Sequence, residues 1–268
     1  MTPIEVQRRK IEVQRRKNPF RVIGRLLWLA GEILLALLDF VINVIFAPKV
    51  PLPRARSLWL QQFCRRVLRI MKVEVKTQGP IPLKGLLVSN HLGYLDILVL
   101  SAVAPAVFIA SSDVKRWPVL GWCAILAGTL FARPTKRSDV TRLNREVAHA
   151  LDTGALVVLF PEGTGSDGRE ILPFRSSLLE PVTRLKHPLS AAFIHYSLPD
   201  GDSGEDICYS GNSTLLPHLV KLFSKSRIRA AVSFVRLEQG LRDRKELARS
   251  LHSQVIHLKE SSAPVSVE

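Results

Sequence analysis

The spacing of apolar residues divides the chain into two parts. After about residue 73, short runs rich in Val, Ile and Leu alternate with stretches of helical periodicity. Strands are predicted at 85–89, 106–110, 129–131, 155–160, 189–194 and 230–235, and helices at 97–103, 119–126, 139–151, 175–186, 215–223 and 243–258. Alternation of this kind predicts an α/β fold in which helices flank a central, largely parallel sheet.

The part before this sheet is predicted to form membrane-associated amphipathic helices. Residues 20–47 are strongly apolar but contain Arg25, Glu32 and Asp39 at intervals of seven, close to one helical face. The uncharged pieces between these charges are shorter than the ~20 residues that cross a bilayer. We therefore expect a helix that lies in the membrane interface, with a true transmembrane span as the alternative.

A second amphipathic helix is predicted at 55–71. Apolar residues recur there at steps of three and four, and arginines occupy much of the remaining surface. The pattern is typical of a basic helix on a membrane surface, and equally of a helix that packs on the core with a solvated basic face. The chain is thus predicted to have three parts: a basic arm at 1–19, membrane-associated helices at 20–72 and an α/β domain at 73–268.

The basic arm contains a tandem repeat. IEVQRRK at residues 4–10 recurs without change at residues 11–17. The two apolar residues of each copy are two positions apart, which does not produce a coiled-coil seam. The arm is either a duplicated tail or a cationic juxtamembrane segment that binds anionic lipid.

Charge and composition narrow the class of partner. The 268 residues include 38 Lys and Arg against 23 Asp and Glu, a net charge of +15, and 47% are hydrophobic. This apolar fraction excludes a disordered chain, and the charge indicates an anionic partner. With 7% aromatic residues and no interleaved aromatic and basic module, we expect a lipid surface and no nucleic acid. The three cysteines are too few, and odd in number, for a disulfide framework, which indicates a reducing compartment. They also fall in no metal-ligand spacing, and no metal site is expected.

The first candidate motif is GLLVSNHLGYLD at residues 85–96. A buried strand brings His91 to its carboxyl end, where α/β proteins place their functional sites. Asp96 follows five residues later, and five residues on a straight helix are about 140° out of phase. The two side chains can therefore meet only if His91 lies in the turn before the helix. An imidazole held by a carboxylate could deprotonate a hydroxyl, whereas an Asp that only caps the helix would leave His91 without this role.

Two further segments carry cations. GTLFARPTKR at residues 128–137 ends a predicted strand with Arg133, Lys136 and Arg137, and LPFR at residues 172–175 adds Arg175. Three cations within five residues suit a phosphate group, with Arg providing bidentate geometry. In isolation such a segment is more often a basic surface loop.

The remaining segment, ALVVLFPEGTGSDG at residues 155–168, contains G-x-G-x-x-G directly after a predicted strand. A dinucleotide site needs these glycines to open a helix whose N-terminus meets the pyrophosphate. Pro173 follows too soon for such a helix, and no acidic residue stands about 20 positions further on. The glycines are therefore expected to build a tight loop that exposes backbone N–H groups around Glu162 and Thr164.

Taken in order, NHLGYLD, GTLFAR, LFPEGTGSDG and LPFR resemble the glycerolipid acyltransferase family, and within it the bacterial 1-acylglycerol-3-phosphate acyltransferases. The resemblance spans about residues 83–235. It implies that His91 is a base oriented by Asp96, and that the acceptor is bound by Arg133, Glu162, Gly163 and Thr164. The nearby cations Lys136 and Arg175 are expected to join them.

The resemblance also implies a reaction and a location. An acyl group would pass from an acyl thioester, on coenzyme A or acyl carrier protein, to the free hydroxyl of a lysophospholipid; 1-acylglycerol-3-phosphate would give phosphatidate. Because a thioester is already activated, the expected enzyme needs a base but neither a covalent nucleophile nor a cofactor. We expect residues 73–268 to be the catalytic domain, on the cytoplasmic face of the inner membrane, monotopic or with a single N-terminal membrane segment.

Three departures from the family pattern affect the expected acceptor. Gly165 stands where an Arg usually follows F-P-E-G-T, Ser176 stands where a Gly often follows the cation, and HPLSAAFI at residues 187–194 lacks a second Pro. Another lysolipid, such as a lyso-amino-lipid, is therefore the alternative acceptor. A non-catalytic basic membrane adaptor is the alternative to an enzyme.

Overall fold

The computed structural model describes residues 19–47, 49–132, 137–182, 187–199, 202–209, 214–238 and 243–262. The tandem repeat and the predicted residues Arg133 and Lys136 lie outside these ranges. The α-helices are α1 (Pro19–Phe40), α2 (Leu52–Met71), α3 (Tyr94–Val103), α4 (Leu120–Leu126), α5 (Arg137–Asp152), α6 (Ser203–Asp206), α7 (Leu215–Ser224) and α8 (Arg244–Ser261). A π-helical segment, Val41–Phe46, continues α1, and 3₁₀ segments occupy Ser112–Arg116 and Ser176–Val182.

The strands form one mixed sheet. They are β1 (Val73–Gln78), β2 (Gly85–Ser89), β3 (Ala106–Ser111), β4 (Leu130–Ala132), β5 (Leu156–Leu159), β6 (Leu189–Ser197) and β7 (Ile228–Leu237), in the order β1-β7-β6-β2-β5-β3-β4. Only β6 and β7 pair antiparallel among these neighbours. The carboxyl ends of β2, β5 and β6 therefore meet at one edge of the sheet, which confirms the predicted α/β class.

Helices cover both faces of the sheet because its central strands are apolar on both sides. All five residues of β2 are buried, and Leu86 and Val88 pack in a cluster with α5 and α8. Leu87 lies in the opposite cluster, with α2, α3 and α7. Alternate residues of one strand thus serve two cores, as expected for a covered parallel sheet.

The structure differs from the predicted elements in two places: one strand was not predicted, and one predicted helix is a 3₁₀ segment. The edge strand β1 was not predicted, because only Val73 of its six residues is buried and its pattern therefore reads as polar. The helix predicted at 175–186 is a 3₁₀ segment at Ser176–Val182, and 183–186 lie outside the described residues. Proline has no backbone N–H, so Pro181 cannot donate the backbone hydrogen bond that an α-helix over 175–186 would require at that position.

Helix α2 packs on the core. Eleven of its residues are buried, among them Trp59, Phe63 and Met71, and the described part of the helix contacts α1 and α3. Of the two interpretations of the basic helix, the one with a packed apolar face therefore matches the structure. Gln61 and Arg65 also donate hydrogen bonds to backbone carbonyls at the end of α3.

Helix α1 is attached to the domain through buried apolar residues, among them Ala36 and Phe40, and through polar contacts. Glu32 is buried in an ion pair with Arg66 of α2, and the indole N–H of Trp59 donates to the carbonyl of Ala36, 2.8 Å away. Arg25 donates to the carbonyls of Phe223 and Lys225 at the carboxyl end of α7, at 2.9 and 2.6 Å. Arg25 and Glu32 thus bind groups of the domain, whereas Asp39 accepts from Asn43 one turn further along the same helical segment, at 2.7 Å.

The remaining surface of α1 and its π-helical continuation is apolar and exposed. By length and composition, the continuous helix of 28 residues could cross a membrane. Its exposed large side chains are those of Phe20, Ile23, Leu27, Trp28, Leu34, Leu35, Leu37, Leu38, Val41, Ile42, Ile45 and Phe46. A continuous apolar surface of this kind marks an interaction site, here called the α1 apolar face.

Candidate active site

The turn after β2 brings the predicted His91 and Asp96 together. Helix α3 begins at Tyr94, so His91 lies in the turn before the helix, as its spacing from Asp96 requires. Nδ1 of His91 lies 2.9 Å from Oδ2 of Asp96. The same oxygen accepts the backbone N–H groups of Leu92 and Gly93, at 2.6 and 3.0 Å. Asp96 therefore caps the helix and holds the imidazole with one carboxylate.

The His91 and Asp96 side chains differ in exposure, as expected for a base that meets the substrate and a carboxylate that orients the base. Asp96 is fully buried, whereas the His91 side chain is 20% exposed. The imidazole stacks on Phe160, with ring centroids 4.2 Å apart. Within the described part of the chain, Nε2 of His91 has no hydrogen-bond partner and remains available to a substrate hydroxyl.

The loop after β5 holds the backbone of His91. Glu162 is buried, its Oε1 accepts the N–H of His91 at 2.8 Å, and its Oε2 accepts the N–H of Leu172 at 3.3 Å. The N–H and hydroxyl of Ser166 both donate to the carbonyl of His91, at 2.9 and 3.2 Å. Burial raises the pKa of Glu162 to about 7. The carboxyl group expected to bind the acceptor thus lies against the backbone of the candidate base.

This loop also has the form predicted for its glycines. Gly163 and Gly168 adopt positive φ angles of 71° and 79°, and no α-helix occurs between them and the 3₁₀ segment at Ser176–Val182, all of which lies within a described range. The dinucleotide interpretation is therefore excluded by the fold.

Residues of the described ranges 203–209 and 214–224, between β6 and β7, cover the turn from the other side. The N–H of Tyr209 donates to the carbonyl of Leu92 at 2.7 Å, and its ring contacts those of Tyr94 and His218. A Cβ at Gly165 would lie 2.4 Å from the Tyr209 carbonyl oxygen, and one at Gly93 would lie 2.8 Å from its Cβ. Gly165 therefore departs from the family pattern at a position where the backbones are too close for a side chain.

The predicted binding residues that the structure describes lie beside this loop. Gly163 and Thr164 are exposed, and Arg175 is exposed with its Nε 3.1 Å from the position of a Cβ at Gly163. Arg175 forms no ion pair with any described residue. A cation therefore lies next to the loop that holds His91.

The predicted residues Arg133 and Lys136 follow β4 and lie outside the described ranges. Strand β4 is separated from β2 by β5 and β3, which at normal strand spacing places its axis about 14 Å from that of β2. No group of three or more His, Cys, Asp or Glu side chains that could hold a metal ion occurs within the described ranges.

Some residues of the site were not predicted from the sequence. The buried hydroxyl of Tyr196 donates to Oδ1 of Asp96 at 2.7 Å. The side-chain amide of Asn90 pairs with both backbone groups of Ile194, at 2.8 and 2.9 Å. These contacts join positions about a hundred residues apart, so no local spacing could have indicated them. Asn90 could have been singled out only as a buried polar residue at the end of a strand.

The sequence of the chain matches a family model and several known proteins. The acyltransferase family model matches residues 72–194. The lyso-ornithine lipid O-acyltransferase of Brucella abortus is 33% identical over 218 residues, covering 75% of this chain and 81% of that protein. The protein of the same name from Pseudomonas aeruginosa is 33% identical over 207 residues, covering 75% and 77%.

Relatives named for a second activity match a shorter part of the chain. The 1-acyl-sn-glycerol-3-phosphate acyltransferase of Neisseria meningitidis is 37% identical over 131 residues, covering 48% of this chain and 51% of that protein. The crystal structure of the 1-acyl-sn-glycerophosphate acyltransferase of Thermotoga maritima superimposes with a TM-score of 0.61 at 20% identity, covering 91% of this chain and all of that one. At this identity the Thermotoga maritima structure supports the fold alone, whereas the sequence relatives show the family.

Proposed function

Since the chain belongs to the acyltransferase family and is an O-acyltransferase of lysolipids, we propose that His91 and Asp96 catalyse transfer from an acyl thioester to a lysolipid hydroxyl. The thioester is carried on coenzyme A or acyl carrier protein. The observation that carries this proposal is the 2.9 Å contact between Nδ1 of His91 and the buried carboxylate of Asp96, which leaves Nε2 to the substrate.

The proposed reaction needs one proton transfer in each direction. Nε2 of His91 takes the proton of the acceptor hydroxyl as its oxygen attacks the thioester carbonyl, and Asp96 stabilises the resulting imidazolium. The tetrahedral intermediate then collapses, the C–S bond breaks, and the imidazolium returns the proton to the thiolate. The ester bond replaces the thioester bond, so no covalent enzyme intermediate and no cofactor is required.

For the acceptor, the site favours an anionic head group. Arg175 lies exposed against Gly163, in the loop whose Glu162 holds the His91 backbone, and a guanidinium suits bidentate binding of phosphate. The carboxyl end of β4 lies at the same edge of the sheet, and in the sequence Arg133 and Lys136 follow this strand. We therefore propose 1-acylglycerol-3-phosphate as the acceptor and phosphatidate as the product.

Lyso-ornithine lipid is the second candidate acceptor. It is favoured because the relatives named for that substrate match 75% of this chain, against 48% for the Neisseria meningitidis 1-acyl-sn-glycerol-3-phosphate acyltransferase. The chain also departs from the family pattern at Gly165, where an Arg usually follows F-P-E-G-T. The backbone of Tyr209 lies so close to Gly165 that no side chain fits there.

We also propose that the α1 apolar face lies in the cytoplasmic leaflet of the inner membrane. Acyl thioesters are made in the cytoplasm, and the catalytic domain must meet both this water-soluble donor and a lipid acceptor. Glu32 and Arg25 are bound to the domain, so inserting the exposed face does not require burying their charges in lipid. A helix that lies along the membrane surface satisfies these conditions.

The test of catalysis compares two His–Asp pairs of this protein. The purified protein is assayed with a long-chain acyl-CoA and each acceptor in turn, by thiol release and mass spectrometry of the lipid product. We expect His91→Ala to lose nearly all transfer. His187→Ala is the matched control, because His187 pairs with Asp152 at 3.0 Å just before β6, at the opposite edge of the sheet. Turnover by His91→Ala close to that of the control would overturn the proposal.

The test of the acceptor uses the cations. We expect Arg133→Ala and Arg175→Ala to weaken use of 1-acylglycerol-3-phosphate by roughly 1.5–3 kcal/mol each, the range for hydrogen bonds to charged groups, with little effect on the KM for acyl-CoA. Equal losses with both acceptors would assign these residues to the donor or to the fold. A wild-type preference for lyso-ornithine lipid would replace the proposed acceptor with the second candidate.

A further inference from the structure

The buried carboxylate of Asp96 divides its hydrogen bonds unequally between its two oxygens. Oδ2 lies within hydrogen-bond distance of three donors: Nδ1 of His91 and the N–H groups of Leu92 and Gly93. Oδ1 accepts from one described residue, Tyr196, at 2.7 Å. Asp96 is fully buried, so an oxygen that lost this donor would remain uncompensated in a region of low polarity.

The backbone fixes the position of this donor. Tyr196 lies on β6, which pairs with β2 up to Ser89 and Ala192. Beyond this point β6 is bound by a side chain of the turn: Asn90, directly before His91, forms hydrogen bonds with both the N–H and the carbonyl of Ile194. Ile194 and Tyr196 are two residues apart on β6 and therefore lie on the same face of the strand. The contact of Asn90 with Ile194 thus fixes the position from which the phenol of Tyr196 reaches Asp96. The other side of β6 pairs with β7, which holds Tyr196 opposite Ala230.

We propose that Tyr196 is a positioning residue of the acyltransferase, whose hydroxyl holds Asp96 ionised and oriented toward His91. The inference rests on the proposed roles of His91 and Asp96. Tyr196 does not contact the reacting atoms; it acts on the base through the carboxylate. Burial and the neighbouring charge of Asp96 keep the pKa of Tyr196 well above its usual value, so the phenol remains a donor over the working pH range.

The expected signature is in the pH profile of kcat. The active form has a neutral imidazole and an ionised carboxylate, and the acid limb reports uptake of the first proton by the pair as a unit. A donor on the carboxylate stabilises its charge and so lowers the affinity of the pair for that proton. Removing the donor is therefore expected to move the acid limb to higher pH, whichever of the two groups takes the proton.

Other titratable groups near the pair are unchanged by this substitution. Glu162 contacts His91 from the loop after β5, and Cys208 lies near Asp96 from the segment after α6. Burial raises the pKa of Glu162 to about 7 and that of Cys208 to about 12. Because both side chains are present in wild type and variant, a difference between the two profiles arises from the loss of the Tyr196 hydroxyl.

The experiment compares Tyr196→Phe with Tyr94→Phe in the full chain, using a long-chain acyl-CoA and 1-acylglycerol-3-phosphate in mixed micelles. Tyr94 also has a buried hydroxyl, 2.8 Å from Nδ1 of His218, and has no hydrogen bond to Asp96. For Tyr196→Phe we expect kcat to fall by roughly ten- to a hundredfold, the equivalent of one hydrogen bond to a charged group, with KM values unchanged and the acid limb moved to higher pH. For Tyr94→Phe we expect the acid limb of the wild type.

A second variant keeps the inference testable if Tyr196→Phe does not fold. Replacing Tyr196 with 3-fluorotyrosine retains the hydroxyl and makes it a stronger donor, so the acid limb is expected to move to lower pH. An acid limb that stays in place in the folded variants would overturn the positioning role, even if kcat fell. If His91→Ala retained turnover, the proposed catalytic roles would fail instead, and the two failures are thus distinguishable.

Discussion

His91 is held through its backbone as well as through its side chain. Glu162 accepts its N–H, Ser166 donates to its carbonyl, and Asp96 and Phe160 contact its ring. Three structural elements contribute these groups: the first turn of α3, the end of β5 and the loop after it. A substitution in that loop is therefore expected to change the position of the base without touching it.

Glu162→Gln is expected to destabilise the protein at pH 5 more than at pH 8. Both oxygens of Glu162 accept N–H groups, and an amide would place its own NH₂ opposite one of these donors. Burial raises the pKa of the folded state from 4.5 to about 7. Between these values the folded wild type binds more protons than the unfolded chain, so its stability falls as pH rises, whereas the variant lacks this titration.

The measurement is thermal unfolding of the detergent-solubilised protein at both pH values. The stability difference between wild type and Glu162→Gln should shrink by more than about 1 kcal/mol from pH 5 to pH 8. Glu170→Gln is the control, because Glu170 is an exposed carboxylate of the same loop. A difference that stays constant or grows with pH would contradict the raised pKa.

Single residues of the site were predictable where the chain itself brings them together. His91 and Asp96 lie within six residues, so the predicted strand, turn and helix start gave the condition under which they meet. The resemblance to the acyltransferase family then selected the His–Asp pair over an Asp that only caps the helix. Tyr196 was not predictable, because its contact with Asp96 depends on the pairing of β6 beside β2. The role expected for Glu162 was also incomplete, since the sequence gives no sign that its carboxyl group faces inward.

At the scale of elements, the strands were predicted best where both faces are buried. The bounds of β2 match those predicted, and its five residues are all buried. Helix α5, predicted to end at residue 151, ends at Asp152, and Gly154 follows it with a φ of +80° that suits a residue after a helix. Strand β1 was missed because an edge strand with one buried residue lacks the apolar pattern from which strands are recognised.

The ion pair between α1 and α2 provides a prediction at this scale. Glu32 is buried and pairs with Arg66, so Arg66→Met would leave an uncompensated buried carboxylate. We expect the variant to lose about 3 kcal/mol of unfolding free energy, and the double variant Glu32→Leu/Arg66→Met to recover most of it. Thermal unfolding in detergent measures both.

The matched control for this pair is exposed. Arg227 pairs with Glu74 at 3.2 Å, with about half of each side chain accessible. Arg227→Met is expected to cost at most about 1 kcal/mol. If the double variant were as unstable as Arg66→Met alone, the loss would come from packing of the Arg66 side chain, and the buried charge would not be its cause.

At the scale of the whole molecule, the α1 apolar face and the net charge of +15 predict two contributions to membrane binding. Burial of leucine side chains is insensitive to salt, whereas attraction to anionic lipid is screened by it. We expect Leu27→Gln/Leu34→Gln/Leu38→Gln to lose at least a hundredfold in binding to anionic vesicles, since each leucine contributes roughly 1.5–3 kcal/mol when fully buried. The remaining binding should disappear at high salt.

Vesicle sedimentation at low and high salt measures this prediction. The control is Leu83→Gln, because Leu83 is similarly exposed but precedes β2, at the edge of the sheet opposite His91. Unchanged unfolding temperatures in both variants would separate membrane binding from folding. Full binding by the triple variant would show that α1 is not the membrane-binding surface.

The bonds between Arg25 and the end of α7 join positions 198 and 200 residues apart, which sets an order of events during synthesis. At about 5–20 residues per second, α7 leaves the ribosome on the order of 10 s or more after α1. During that interval the carbonyls of Phe223 and Lys225 that accept from Arg25 are absent, and the leucines of α1 face whatever surrounds the nascent chain. We expect ribosome-bound chains that end before residue 215 to crosslink through α1 to lipid. The membrane would then hold α1 in place until α7, to whose carboxyl end Arg25 binds, has been synthesised.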